Sequence, residues 1–112
     1  MSEKEEILIG NFKEYFTSGL EALEKGNYNS ATTLFFKAMV ALCDLFVLKK
    51  DGFAPSSHTN RFRVLEEKHP DIYKMIDRDF PFYQDSYTKK MDRESAELLK
   101  EDAENIKKML GI

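Results

Sequence analysis

The chain predicts an all-α fold, an up-and-down antiparallel bundle of four to five helices, on three observations. Apolar residues recur at helical spacing over long stretches. No stretch alternates apolar and polar residues as a half-buried strand would. Gly, Pro, Ser, Asn and Asp fall where helices start and stop. A chain of 112 residues fits one domain spanning 1–112. A domain of this size buries roughly two-thirds of its unfolded surface without disulfides or metals.

The first helix is expected over about Glu3–Lys25. Ser2 and Glu5 have capping-box spacing, in which each side chain reaches the other residue's backbone N–H. Leu8, Phe12, Tyr15, Phe16, Gly19, Leu20 and Leu23 form the inward stripe, and Gly26 supplies the left-handed stop. Asn27 or Asn29 caps the second helix, which runs to about Lys50 and ends at Asp51-Gly52. Its middle, Leu34 to Leu48, is apolar almost all round, so it must be surrounded by partners. The short linker makes these two helices an antiparallel hairpin.

Phe53–Ser57 reads as a loop, with Pro55 holding Ala54 extended and a Ser capping a third helix over about Ser57–Lys68. Pro70 suits the first turn of a short helix over about Asp71–Arg78, which Phe80-Pro81 is expected to break. The last helix points Ala96, Leu99, Ala103, Ile106, Met109 and Leu110 inward and ends at Gly111. It starts either near Phe82 or after Asp92.

Composition narrows the function classes. Hydrophobic residues at 42% and charged residues at 33% exclude whole-chain disorder. The formal charge of −3 means that any basic face for nucleic acid is local. Cys43 is the only cysteine, which excludes a disulfide framework or a cysteine-rich zinc site. It reads as a core thiol, in keeping with a reducing, cytoplasmic setting. The acidic start Met1–Glu6 lacks the basic region of a signal peptide. Leu34–Leu48, interrupted by Lys37 and Asp44, is too short and too charged to span a bilayer. No Gly-rich phosphate loop, His-x-x-x-His spacing or serine elbow is present, so neither a cofactor nor a metal is expected.

Charged residues in unusual places supply the candidate sites. Lys37 and Asp44 lie seven apart, on one face of an otherwise apolar helix. They read either as a buried polar pair marking a cleft or interface, or as residues reaching solvent or a partner on the first or last helix. Arg63 and His69 have Arg-x5-His spacing. Two readings of that pair stand open, a displaced catalytic pair or a solvated helix face with His69 near a helix C-terminus.

Two families share features with this pattern. Gly19, Ala22, Gly26, Tyr28, Ala31, Phe35 and Ala38 resemble one tetratricopeptide repeat, which implies a single-repeat protein-interaction adaptor. The rest of the chain does not repeat it, whereas solenoids need about three units. More of the chain, about Phe12 to Leu110, resembles the HEPN domain family of helical nucleotide-binding proteins. The elements that carry this are Phe12–Lys25, the long apolar helix Ala31–Lys50, the step Ser57-His58-Thr59-Asn60-Arg61-Phe62, and the polar-aromatic stretch Tyr83–Asp92 before a final amphipathic helix.

The HEPN resemblance implies a homodimer, a small nucleotidyltransferase as partner in a toxin–antitoxin or RNA-handling system, and RNA or a nucleotide as ligand. His58, Arg61, Lys89, Lys90 and Arg93 are then the binding candidates. Ribonuclease members of the family carry Arg-x(4–6)-His at the start of the last helix, where the Arg stabilises phosphate charge and the His assists 2′-hydroxyl attack. The matching stretch here holds Lys89, Lys90 and Asp92 and no histidine. Lysine lacks the planar fork of arginine, so the motif is degenerate. A metal-independent ribonuclease would use Arg63 and His69, or other residues, instead.

Overall fold

A computed structural model describes residues Met1–Ile112 as five α-helices without strands: α1 (Glu3–Glu24), α2 (Tyr28–Asp51), α3 (His58–Lys68), α4 (Pro70–Asp85) and α5 (Arg93–Leu110). The expected all-α bundle is therefore the observed one. At 1.5 Å per residue, the 24 residues of α2 span about 36 Å, close to the 38 Å long axis of the molecule. That helix is the spine. It packs chiefly on α1 and α5, and α3 and α4 lie against it as a second pair.

The termini follow local chemistry. Ser2 Oγ accepts from Glu5 N–H at 3.2 Å, but the return bond of a capping box does not form. Gly26, at φ 77°, closes α1 in a Schellman turn: Asn27 N–H donates to Ala22 O and Gly26 N–H to Leu23 O. Neither candidate cap of α2 acts as one. Asn27 occupies the N-cap position with no side-chain bond. Asn29 lies inside the helix and reaches across the bundle, donating to Ser86 O and Lys89 O and accepting from Met91 N–H at 2.9 Å. It thereby fixes the segment joining α4 to α5. Ser57 caps α3 through Asn60 N–H and Asp92 caps α5 through Ser95 N–H, so the last helix starts after Asp92.

The α2 helix is buried almost all round, with Ala31, Thr32, Phe35, Phe36, Ala38 and Met39 followed by the unbroken run Ala41–Val47. By length and composition it would also suit a membrane span. In this fold it is the core helix, with most of its length buried against its neighbours. The small residues that resemble a tetratricopeptide repeat line the α1–α2 crossing. Gly19 is the tightest point, because a Cβ there would lie 2.6 Å from Phe35 Cε1.

Three expectations are corrected. The fourth helix does not break at Phe80-Pro81 but continues to Asp85. Pro81 and Asp77 both belong to the exposed side of the helix, where a carbonyl that loses its intrahelical donor costs least. Phe80 and Tyr83 meanwhile hold that turn on Phe36, at ring separations of 5.8 and 4.6 Å. Leu20 and Met109 belong to helical stripes but are 38% and 46% exposed, because both lie past the edge of the buried arc of their helices.

The contact of α4 with α5 is polar. Asp79 is fully buried and Asp102 nearly so. Arg78 donates to both carboxylates. Burial, then the hydrogen bond to Asp102 and its charge, push the Asp79 carboxyl up to about 8 against the opposing pull of Arg78.

Two predictions follow from this packing. Gly19→Ala should lower unfolding free energy by about 1–2 kcal/mol in chemical denaturation, because overpacking against Phe35 outweighs the gain in helix propensity. Asp79 binds its proton more tightly folded than unfolded, so stability is highest below the ordinary carboxylate pKa near 3.8 and falls as pH rises towards about 8. Asp79→Asn should flatten that decline when melting temperature is followed against pH.

Candidate functional site

Between α1 on one side and α3 and α4 on the other, one face of α2 forms the floor of a groove of about 340 Å³. Helical periodicity assembles it. Leu8, Asn11 and Tyr15 come from one face of α1, and Phe36, Lys37, Val40, Ala41 and Asp44 from one face of α2. His58 and Arg61, one turn apart, come from α3, and Tyr83 closes the far wall from α4.

The centre of the groove is an ion pair. Arg61 Nε donates to Asp44 Oδ1 at 2.6 Å and Nη2 to Asp44 Oδ2 at 2.9 Å, a side-on fork matched to a carboxylate. Both side chains are largely buried, at 9% and 13% exposure. Arg61 Nη1 also lies 2.9 Å from His58 Nδ1. A guanidinium has no acceptor, so Nδ1 accepts and the neutral imidazole carries its proton on Nε2. Partial burial, then the Arg61 charge, push the His58 imidazole below the ordinary histidine range, while Asp44 pulls the other way.

Lys37 is exposed, with its Nζ 5.9 Å above the Tyr15 ring, a cation–π distance. The expected Lys37–Asp44 pair is thus only half buried: both residues line the groove, but Lys37 snorkels to water along Tyr15. The partner of Asp44 comes from α3, not from the first or last helix. Tyr83 Oη bonds Tyr87 Oη at 2.8 Å. That bond, then burial, raise its phenol to about 12, so Tyr83 stays neutral. Next to Asp44, burial pushes the Cys43 thiol far up and keeps it unreactive.

Arg63 and His69 are not joined. Arg63 is exposed on α3 with no ion pair. His69, at the C-terminal cap of α3, is held by Asp51 at 2.7 Å and meets the Phe46 ring edge-on. Six residues along a helix place the two about 120° apart around the axis.

Lys89, Lys90 and Arg93 line no part of the groove. They cluster at the α4–α5 connection. Lys89 contacts Asp85 at 3.4 Å, Arg93 contacts Glu97 at 3.2 Å and covers the Tyr28 ring, and Lys90 borders a shallow depression with Tyr28 and Asn29.

Of the groove residues, Lys37, Asp44, His58 and Arg61 were singled out from the sequence. Asn11 and Tyr83 were not, and Tyr15 was assigned to the core. The usable signal is the i, i+3, i+7 spacing of Leu8, Asn11 and Tyr15, which puts a polar residue on a face that meets α2.

The ion pair makes a testable demand on stability. Asp44→Asn leaves a buried, uncompensated guanidinium and should cost about 3–5 kcal/mol in urea unfolding. The double replacement Asp44→Leu with Arg61→Met should cost markedly less than the two single changes added together.

Compared with protein-family models, with characterised proteins and with solved structures, the chain finds no match in any of the three.

Proposed function

We propose that this chain is a HEPN-like helical bundle that works by association, with the groove over α2 as its binding surface, and that it is not a nuclease. The observation that carries this is the state of its Arg and His side chains. Arg63 and His69, the only residues with ribonuclease-like spacing, point to different surfaces, and Asp51 occupies the imidazole. The charge of Arg61 is neutralised by Asp44. A metal-independent cleavage needs a cation and an acid–base group around one phosphate, and neither Arg63 with His69 nor the Asp44-bound Arg61 supplies that pairing.

The setting proposed is the cytoplasm, with a homodimer as the working unit and a small nucleotidyltransferase as candidate partner in a toxin–antitoxin or RNA-handling system. Apolar side chains left in water support the dimer. Ile7 on α1 and Met109 on α5 stay exposed, as do Met1 and Ile112 just beyond the ends of those helices, and Met1 and Ile112 edge a depression with Ile9 and Phe12. The cluster Lys89, Lys90 and Arg93 beside Tyr28 is the surface on which an RNA or nucleotide contact would fall.

Incubation of the purified protein with single-stranded RNA in EDTA should leave the RNA intact. Cleavage that disappears in His69→Ala would replace this reading with the ribonuclease one. Sedimentation velocity should show a dimer, and a monomer at every concentration would remove the homodimer from the proposal.

A further inference from the structure

The groove has a surplus of hydrogen-bond donors and one unbalanced charge. Arg61 has five N–H bonds, of which two go to Asp44 and one to His58. One N–H on Nη1 and one on Nη2 remain without a protein acceptor, on a side chain that lines the groove and is 9% exposed. His58 adds its Nε2–H, because Nδ1 is committed to Arg61. Lys37 adds an ammonium group, placed by the Tyr15 ring. Against these, the only carboxylate on the lining is Asp44, and Arg61 already neutralises it. Lys37 therefore supplies a single net positive charge.

The walls set the shape of a ligand. Tyr15 faces the groove from α1, and Tyr83, stacked on Phe36 at 4.6 Å, faces it from α4. Flat aromatic walls favour a planar partner. A volume of about 340 Å³ lies at the small end of ligand sites, which run from about 300 to 1,000 Å³. The net charge favours a monoanion over a phosphate dianion, which would bring an uncompensated negative charge beside Asp44.

We propose that the groove binds a small planar aromatic carboxylate, with its ring between Tyr15 and Tyr83 and its carboxylate oxygens on Lys37, His58 Nε2–H and the free N–H bonds of Arg61. The inference rests on the groove being a binding surface rather than a catalytic one, but it is tested separately. RNA cleavage by the wild-type protein would overturn that reading without touching the ligand class.

The probes are benzoate, its neutral isostere benzamide, and phenyl phosphate, each titrated into the full-length wild-type protein at pH 7.5 by calorimetry and by NMR of the tyrosine rings. Benzoate should bind saturably and about tenfold more tightly than benzamide, the difference expected of a charged acceptor. It should also bind more tightly than phenyl phosphate. Lys37→Gln, at an exposed position that leaves the core intact, should weaken benzoate about fivefold and leave benzamide unchanged. Lys90→Gln, outside the groove, should change neither. No saturable benzoate binding, equal affinity for benzoate and benzamide, tighter binding of phenyl phosphate, or indifference to Lys37→Gln would each overturn the proposal.

Discussion

A helix that is apolar around its whole circumference has to be wrapped, and α2 is such a helix. Two antiparallel neighbours cover at most part of a cylinder, so α1 and α5 alone would leave one face of α2 in water. The short pair α3 and α4 completes the wrapping through Leu65, Ile72 and Ile76, all of them buried. The other features of the fold follow from that enclosure. Gly19 allows α1 close enough to seat Phe35, and the Asn29 side chain ties the α4–α5 connection back onto the start of α2.

The wrapping is incomplete at one place, and that place is where α2 carries charge. Asp44 cannot sit in a core unpaired, so α3 supplies Arg61 in a fork that satisfies both carboxylate oxygens. The fork fixes the rotation of α3 on α2, since a turn of one residue would carry Arg61 about 100° away. The same fork holds His58 in one tautomer. The groove is therefore a consequence of how the buried charge is neutralised. Its walls are aromatic because Tyr15 and Tyr83 continue the apolar faces of α1 and α4 to the point where they meet water.

Long periodic segments were legible in the sequence, and so were their ends. The stripe from Phe12 to Leu23, the apolar run through Met39 and the glycines at 26, 52 and 111 express local physics that tertiary structure has no reason to override. Pro81 was misread because proline disrupts a helix only where the lost hydrogen bond is not otherwise met, and its exposure cannot be read from its neighbours. The role of Asn29 was missed for the same kind of reason: its partners are about sixty residues away in the chain. At the site, Lys37 and Asp44 stood out as charges in an apolar context. The choice of Arg61 over Arg63 as partner depended on which face of α3 meets α2, and in that short helix two nearby arginines look equivalent.

Two buried aspartates in this bundle are neutralised in different ways, and the contrast bears on function. Asp79 is held in its neutral form by burial and by the neighbouring Asp102 charge, with Arg78 attached from the solvent side, at 52% exposure. It needs no donor beyond its own elements, so it joins α4 to α5 and offers nothing outward. Asp44 is neutralised by a guanidinium, which has more donors than one carboxylate can use. A protonated carboxyl has one O–H to give, whereas an arginine carries a surplus of donors to its other edge. A bundle that needed only to bury a carboxylate could have used the first solution twice. Using arginine at Asp44 leaves unfilled donors beside Lys37 and two tyrosine rings, in the one face of α2 that its neighbours do not cover.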